Sequence, residues 1–207
     1  MTGGVEVELK LRVPPAAVPK LRSHPALAAH RHGPVRRERL AATYFDTPDL
    51  RLAAQGIALR VRRERGRWVQ TIKTAGTTAG GLARRDEHEW DLGRASRPPA
   101  PDLARLAASP VGPAFARAAG GRPIEPCFVT EFQRTSVPLA FPDGTRALAA
   151  IDTGRVYVPG REAEALPLSE LELELETGDV ARLFELALAF ADDVPLAAET
   201  RSKAQRG

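Results

Sequence analysis

The chain has 207 residues, 43% of them hydrophobic and 27% charged, which is enough apolar material for a sizeable core in one large domain or two small ones. Thirty Lys and Arg face 26 Asp and Glu, and the net charge of +4 is too small an excess to read as a nucleic-acid surface. Cys127 is the only cysteine, which excludes an intrachain disulfide and a thiolate metal cluster; no apolar run approaches the ~18 residues of a membrane helix.

The first run, Val5-Glu6-Val7-Glu8-Leu9-Lys10-Leu11-Arg12-Val13, alternates apolar and charged residues strictly. Period two in a strand sends every charge to one face, so residues 4–13 are expected to form a strand with Glu6, Glu8 and Lys10 on one side. Residues 14–31 open on Pro14-Pro15, carry Val18, Leu21 and Leu27 on a weak apolar stripe, and are expected to be helical. Strands follow near 37–46, 57–65, 67–74 and 84–92, with turn chemistry at Arg65-Gly66 and from Gly76 to Gly81. The Pro-rich stretch 94–101 reads as a linking loop, and 101–119 as a second helix broken by Pro110 and Pro113. Strands near 127–139 and 146–157 flank Pro142-Asp143-Gly144, a hairpin signal. A last strand, 168–176, precedes a helix over 178–191, whose Val180, Leu183, Phe184, Leu186, Ala187 and Phe190 recur at three and four. No repeat of solenoid length and no clear domain boundary interrupts the chain.

Eight strands with few helices predict an α+β fold built on a closed eight-stranded antiparallel β-barrel with flanking helices. Glu170, Glu172 and Glu174 alternate with leucines, and Arg60 and Arg62 lie two apart. Two acidic strands and one basic strand of matching parity suggest a single charged interior; the alternative is an open sheet with a solvated face. Carboxylates on Glu6, Glu8, Glu172 and Glu174 are hard oxygen ligands suited to Mg²⁺ or Mn²⁺. Arg60 and Arg62 suit bidentate pairing with phosphate oxygens, and Lys73, Arg85, Arg134 and Lys203 are placed to join them.

These segments resemble the CYTH superfamily, the triphosphate tunnel metalloenzymes. Glu6-x-Glu8-x-Lys10 is similar to its opening signature, Tyr44-Phe45-Asp46-Thr47-Pro48 to its YFDT segment and Ala58-Leu59-Arg60-Val61-Arg62 to its LRxR strand. Gln70-Thr71-Ile72-Lys73 resembles its lysine strand, and Arg85-x-Glu87 its R-x-E strand, with adjacent Arg84 leaving that register open by one residue. Thr130 to Arg134, Ala150 to Gly154, Glu170 to Leu175 and Ser202 to Gly207 resemble the later arginine, D-x-G, acidic and closing lysine segments. The likeness runs along nearly the whole of residues 1–207 and is greatest to the bacterial inorganic triphosphatase branch, in which a histidine-rich CHAD domain often follows. The chain is therefore expected to be a stand-alone tunnel domain or the N-terminal part of a CYTH-CHAD protein.

The resemblance implies metal-dependent hydrolysis of inorganic triphosphate in a charged tunnel. Arg60, Arg62, Lys73, Arg85, Arg134 and Lys203 would hold phosphate oxygens, and Glu6, Glu8, Glu172 and Glu174 would hold one or two Mg²⁺ or Mn²⁺ ions. Glu87 or Asp152 would orient metal or water, and Lys10 would position charge, because neighbouring acids raise rather than lower an ammonium pKa. Blander readings stand beside these: Asp152 next to Gly154 could cap a turn, Arg134 could be an exposed strand residue, and Lys203 could lie in a frayed tail. His24, His30, His32 and His88 lack metal spacing and are expected at the surface; Trp68 and Trp90 are expected in packing or at a tunnel mouth. Arg36, Arg37 and Arg39 read as a solvated strand edge, Tyr44 and Phe45 as barrel-to-helix packing, and Glu176 as an acid at the tunnel mouth. Adenylate cyclase, thiamine triphosphatase and a non-catalytic polyphosphate-binding module are the alternatives. Inorganic triphosphate or polyphosphate is the expected partner, with no nucleic acid or membrane, in a cytoplasmic monomer or homodimer.

Overall fold

The computed structural model describes residues 2–207. Its strands are β1 (Thr2–Arg12), β2 (Arg36–Asp46), β3 (Ala58–Glu64), β4 (Arg67–Lys73), β5 (Thr77–Ala79), β6 (Leu82–Gly93), β7 (Glu125–Ala140), β8 (Arg146–Tyr157), β9 (Leu166–Thr177) and β10 (Ala197–Ala198). Its α-helices are α1 (Val18–Arg22), α2 (Pro25–His30), α3 (Arg51–Ala54), α4 (Leu103–Ala107), α5 (Gly112–Ala119) and α6 (Ala181–Ala191). Strand order β1-β9-β8-β7-β2-β3-β4-β6 closes on itself because β1 also pairs with β6, and every pairing is antiparallel. The result is the expected eight-stranded barrel; β5 and β10 are short additions along β6 and β1.

The barrel is apolar outside, and its interior is divided between a charged cavity and an apolar cluster. On β1 and β9, Leu9, Leu11, Leu171 and Leu173 face outward, where Leu183, Leu186 and Phe190 of α6 cover them together with α1 and α2. On the opposite wall Leu59, Val61, Ile72 and Trp90 meet Leu52, Leu106 and Phe115 of α3, α4 and α5. Each such side chain contributes about 1.5–3 kcal/mol on burial, so the two helical layers fasten the barrel from outside, while Leu40, Ala42, Tyr44, Phe128, Phe132, Val156 and Leu168 form a third apolar cluster within it. The β3–β4 hairpin turns on Arg65 (φ 47°) and Gly66 (φ 79°). Left-handed backbone at both positions matches the twist of the flanking strands.

The motif Tyr44 to Thr47 divides its labour. Phe45 packs under the α3–α5 layer, whereas Tyr44 turns into the lumen and stacks on Phe128 at 4.5 Å, so the expectation of packing for both holds only for Phe45. Asp46 accepts hydrogen bonds from the backbone N–H of Thr47, Leu52 and Ala53 at 2.7–2.9 Å, and Thr47 Oγ1 accepts one from Arg51 N. These bonds satisfy the orphan donors at the start of α3.

Several expected elements differ. The helix over 14–31 is a 3₁₀ turn (Pro15–Ala17) followed by α1 and α2, because Pro25 drives the preceding residue, His24, to an extended backbone (φ −63°, ψ 133°). His24 is not a surface residue: it is buried, its Nδ1 accepts from Ala26 N, and its ring meets Phe190 edge-on. The segment 101–119 is two helices separated around Pro110, with Pro113 tolerated in the first turn of α5. The Gly76–Gly81 turn contains β5. Trp68 and Trp90 are buried against the α3–α5 layer and do not line a tunnel mouth. No helix among the described residues is long and apolar enough to cross a membrane.

Candidate functional site

Strand parity gathers the expected residues except Lys203, which enters from the 3₁₀ turn Lys203–Gln205. Glu6, Glu8 and Lys10 alternate along β1, and Glu6 pairs with Arg85, which fixes the Arg84/Arg85 ambiguity: Arg85 and Glu87 face inward and Arg84 is exposed. Register then aligns Lys73 with Glu87, Arg60 with Tyr44, Arg134 with Asp152, and Lys10 with Glu172. The cavity, about 380 Å³ and partly open to solvent, is lined by Glu6, Glu8, Lys10, Arg60, Arg62, Lys73, Arg85, Glu87, Arg134, Glu172, Glu174 and Lys203. That volume is at the small end for ligand sites. Asp152 does not line it. It lies beneath, fully buried, with its oxygens taken by Arg134 at 2.8 and 2.6 Å and Lys203 at 2.8 Å.

The cavity has two electrostatic halves. Behind the wall of one, the buried Asp152 and Glu170 bring an oxygen each within 4.8 Å of Glu172, which lines the cavity, a set with the donor chemistry of a metal site. Protein cations already balance it: Lys203 contacts all three, Arg134 donates to Glu172 at 2.6 Å, and Arg206 pairs with Glu170. Burial works against the charged form of Glu172, but Lys203, Lys10 and Arg134 outweigh it and hold this carboxyl well below the usual range. Burial likewise opposes the Lys203 and Arg134 charges, and the surrounding acids raise both pKa values. Lys10, which is 3.1 Å from Glu8 and 3.3 Å from Glu172, is raised the same way.

In the other half the acids exceed their partners. Lys73 is 2.6 Å from Glu6 and 3.5 Å from Glu87, which also faces Arg60 at 3.5 Å. Glu174 has no ion pair among the described residues. Burial, then repulsion from Glu6, pushes its carboxyl up to about 7 despite Lys73. Across the lumen the arginines are under-partnered in turn. The buried Nε atoms of Arg60 and Arg62 donate to nothing. Burial, then the Arg60 and Arg134 charges, pushes the Arg62 guanidinium down to about 9, although Glu64 pairs with its outer edge. Burial also opposes the Arg60 charge, but Tyr44 and Glu87 beside it raise its pKa. Buried guanidinium charge on a cavity wall calls for an anionic partner. A polyanion supplies one, and the acids opposite accept cations.

Sequence reading did not place Glu89, Thr71, Tyr44 or Phe132 on the cavity wall. Glu89 and Thr71 are bonded to each other (3.0 Å) and continue the parity of Glu87 and Lys73; extending the alternation by one step would have found them. Tyr44 and Phe132 also face the lumen, and the Phe132 ring lies under Arg134 (5.5 Å) and Lys203 (5.0 Å).

Comparison with known proteins agrees with this geometry. The CYTH domain profile matches residues 4–207. An inorganic triphosphatase of Haemophilus influenzae is 29% identical over 98% of this chain, which spans about half (54%) of that relative's length. Among solved structures, a Hippeastrum protein whose dominant activity is described as triphosphatase aligns with TM-score 0.62 at 19% identity, over 96% of this chain and 92% of its own. The Mimivirus capping enzyme triphosphatase aligns with TM-score 0.53 at 12% identity, over 91% and 88%. Likeness at these identities is likeness of fold.

Proposed function

The chain belongs to the CYTH domain family, and from that premise we propose that its barrel hydrolyses inorganic triphosphate to diphosphate and phosphate with Mg²⁺ or Mn²⁺. The observation that carries this reading is the division of one small cavity into under-partnered guanidinium groups and under-partnered carboxylates. Arg60, Arg62, Lys73, Arg85, Arg134 and Lys203, all on the cavity wall, bind phosphate oxygens.

The donor set fits a hard cation. Glu6, Glu8 and Glu174 offer carboxylate oxygens on adjacent paired strands, and Glu174 has no protein cation to displace. Glu172 joins them only as substrate draws Lys203 and Arg134 away from its oxygens. Such an ion, when bound, would neutralise phosphate charge and lower the pKa of a water.

The protein's own groups do the rest. Cations from several strands fix the phosphate chain, which converts attack by water into a positioned event, and they stabilise charge developing on the diphosphate leaving oxygen. Lys10 holds charge in place and is no general base, because its raised pKa keeps it protonated. Asp152, with both oxygens on Arg134 and one also on Lys203, positions those cations; orienting water falls to Glu87, which lines the cavity. The residues 1–207 are read as one tunnel domain.

The test is phosphate release from inorganic triphosphate, ATP and thiamine triphosphate, each with Mg²⁺, Mn²⁺ or EDTA, with cyclic AMP assayed in parallel. Metal-dependent release fastest from inorganic triphosphate is expected. Tight triphosphate binding without turnover would make the barrel a polyphosphate receptor and remove every catalytic role given above.

A further inference from the structure

Ser202, Lys203 and Ala204 line the cavity and continue into Gln205, Arg206 and Gly207. Ser202 and Gln205 close a capping box: Gln205 N donates to Ser202 Oγ at 3.3 Å and Ser202 N donates to Gln205 Oε1 at 2.8 Å. Ala204 packs against the interior cluster of Tyr44, Phe128 and Phe132. Gly207 lies so close to the Phe128 ring that a Cβ there would meet ring carbons at 2.3–2.4 Å. Within this turn Lys203 reaches the cavity and Arg206 does not. One fully buried carboxylate, Glu170, serves both: Oε1 contacts Lys203 and Oε2 contacts Arg206. Glu170 does not line the cavity either.

We propose that Glu170 and Arg206 are a positioning pair that holds Lys203 at the substrate without touching it; this rests on the reading of Lys203 as a triphosphate ligand. The reason is conformational. A lysine ammonium rides on a flexible stem carrying about 2 kcal/mol of rotamer entropy. Lys203 sits on a three-residue 3₁₀ turn, so its backbone is not held in a strand as those of the other phosphate-facing cations are. Pinning Arg206 to the carboxylate that Lys203 also contacts fixes the turn at both ends. The pair has a second consequence. When a triphosphate attracts Lys203 and Arg134, Asp152, Glu170 and Glu172 lose part of their balancing charge. Arg206, outside the cavity, stays behind to offset their repulsion.

The experiment compares wild type, Arg206→Ala, Arg206→Lys, Glu170→Gln, Lys203→Ala and the double variant Arg206→Ala/Lys203→Ala. It reads hydrogen–deuterium exchange of the 199–207 segment, and KM and kcat for inorganic triphosphate. Arg206→Ala is expected to speed exchange across 202–206 and to raise KM about tenfold or more with a smaller change in kcat. Glu170→Gln should reproduce that exchange signature, and should carry the test if Arg206→Ala fails to fold. Arg206→Lys should recover part of the KM. In the Lys203→Ala background Arg206→Ala should add nothing. Unchanged exchange in both Arg206→Ala and Glu170→Gln, or a full further loss on top of Lys203→Ala, overturns the proposal. A Lys203→Ala variant with unaltered KM, or a wild type without turnover, defeats the functional reading instead, and the exchange comparison still decides whether the pair holds the segment.

Discussion

Arg134 and Asp152 stand opposite each other in the β7–β8 register, and the guanidinium donates from Nε at 2.8 Å and from Nη2 at 2.6 Å to the two carboxylate oxygens. Asp152 is fully buried and also contacts Lys203 at 2.8 Å. Truncating one member of a buried pair leaves the others uncompensated, which costs about 3–5 kcal/mol. Asp152→Ala is therefore expected to lower unfolding stability by about that amount in urea titrations. A loss below about 1 kcal/mol would show that the network does not fasten the barrel.

Glu174 makes the metal-free protein pH-sensitive. Its folded pKa of about 7 lies above the ordinary 4.5. The folded state thus binds this proton more tightly than the unfolded chain, so its contribution is fully present below pH 4.5 and is lost as pH rises through 7. The gap corresponds to about 3 kcal/mol at most. In EDTA, Glu174→Gln should match wild type near pH 4.5 and exceed it by up to about that amount at pH 8. Equal urea midpoints for the two proteins at pH 8 would refute the assignment.

Much of this was legible because strands have period two. Glu6, Glu8 and Lys10, or Arg60 and Arg62, declare a common face without any partner strand. Alternation cannot supply register, so Arg84 and Arg85 were separable only through the pairing of Arg85 with Glu6. Nor does it reach the last turn, where Lys203 enters the lumen from an aperiodic segment; the Ser202/Gln205 capping box was the available signal. Helix 14–31 failed for a local reason, the restriction Pro25 places on His24, and with that break His24 moved from the surface to a seat against Phe190.

Cys127 is half-buried, and burial, then the Asp46 charge, pushes its thiol up to about 11. At pH 8 its thiolate fraction is about 10⁻³, against roughly a quarter for an ordinary thiol. Alkylation by iodoacetamide should therefore run about 10²-fold slower in the folded protein than in urea. A folded rate equal to the denatured rate would place the thiol in water.

Arg62 separates stability from function. Its charge is disfavoured by burial and by Arg60 and Arg134, and its Nε donates to nothing. The empty barrel therefore carries a cost that a bound polyanion relieves. Removing a charge that burial and two like charges disfavour relieves that cost, and its partner Glu64 is part-exposed and left to water rather than buried unpaired, so Arg62→Met should leave the urea midpoint of the ligand-free protein unchanged or higher. The same change removes charged hydrogen bonds worth about 1.5–3 kcal/mol to a phosphate, a loss of roughly 10- to 150-fold in triphosphate affinity. Urea unfolding with and without triphosphate reads both quantities, because ligand stabilisation scales with the ratio of ligand concentration to Kd. Movement in opposite directions makes Arg62 a binding residue held against a stability cost; a joint fall in both would make it part of the scaffold.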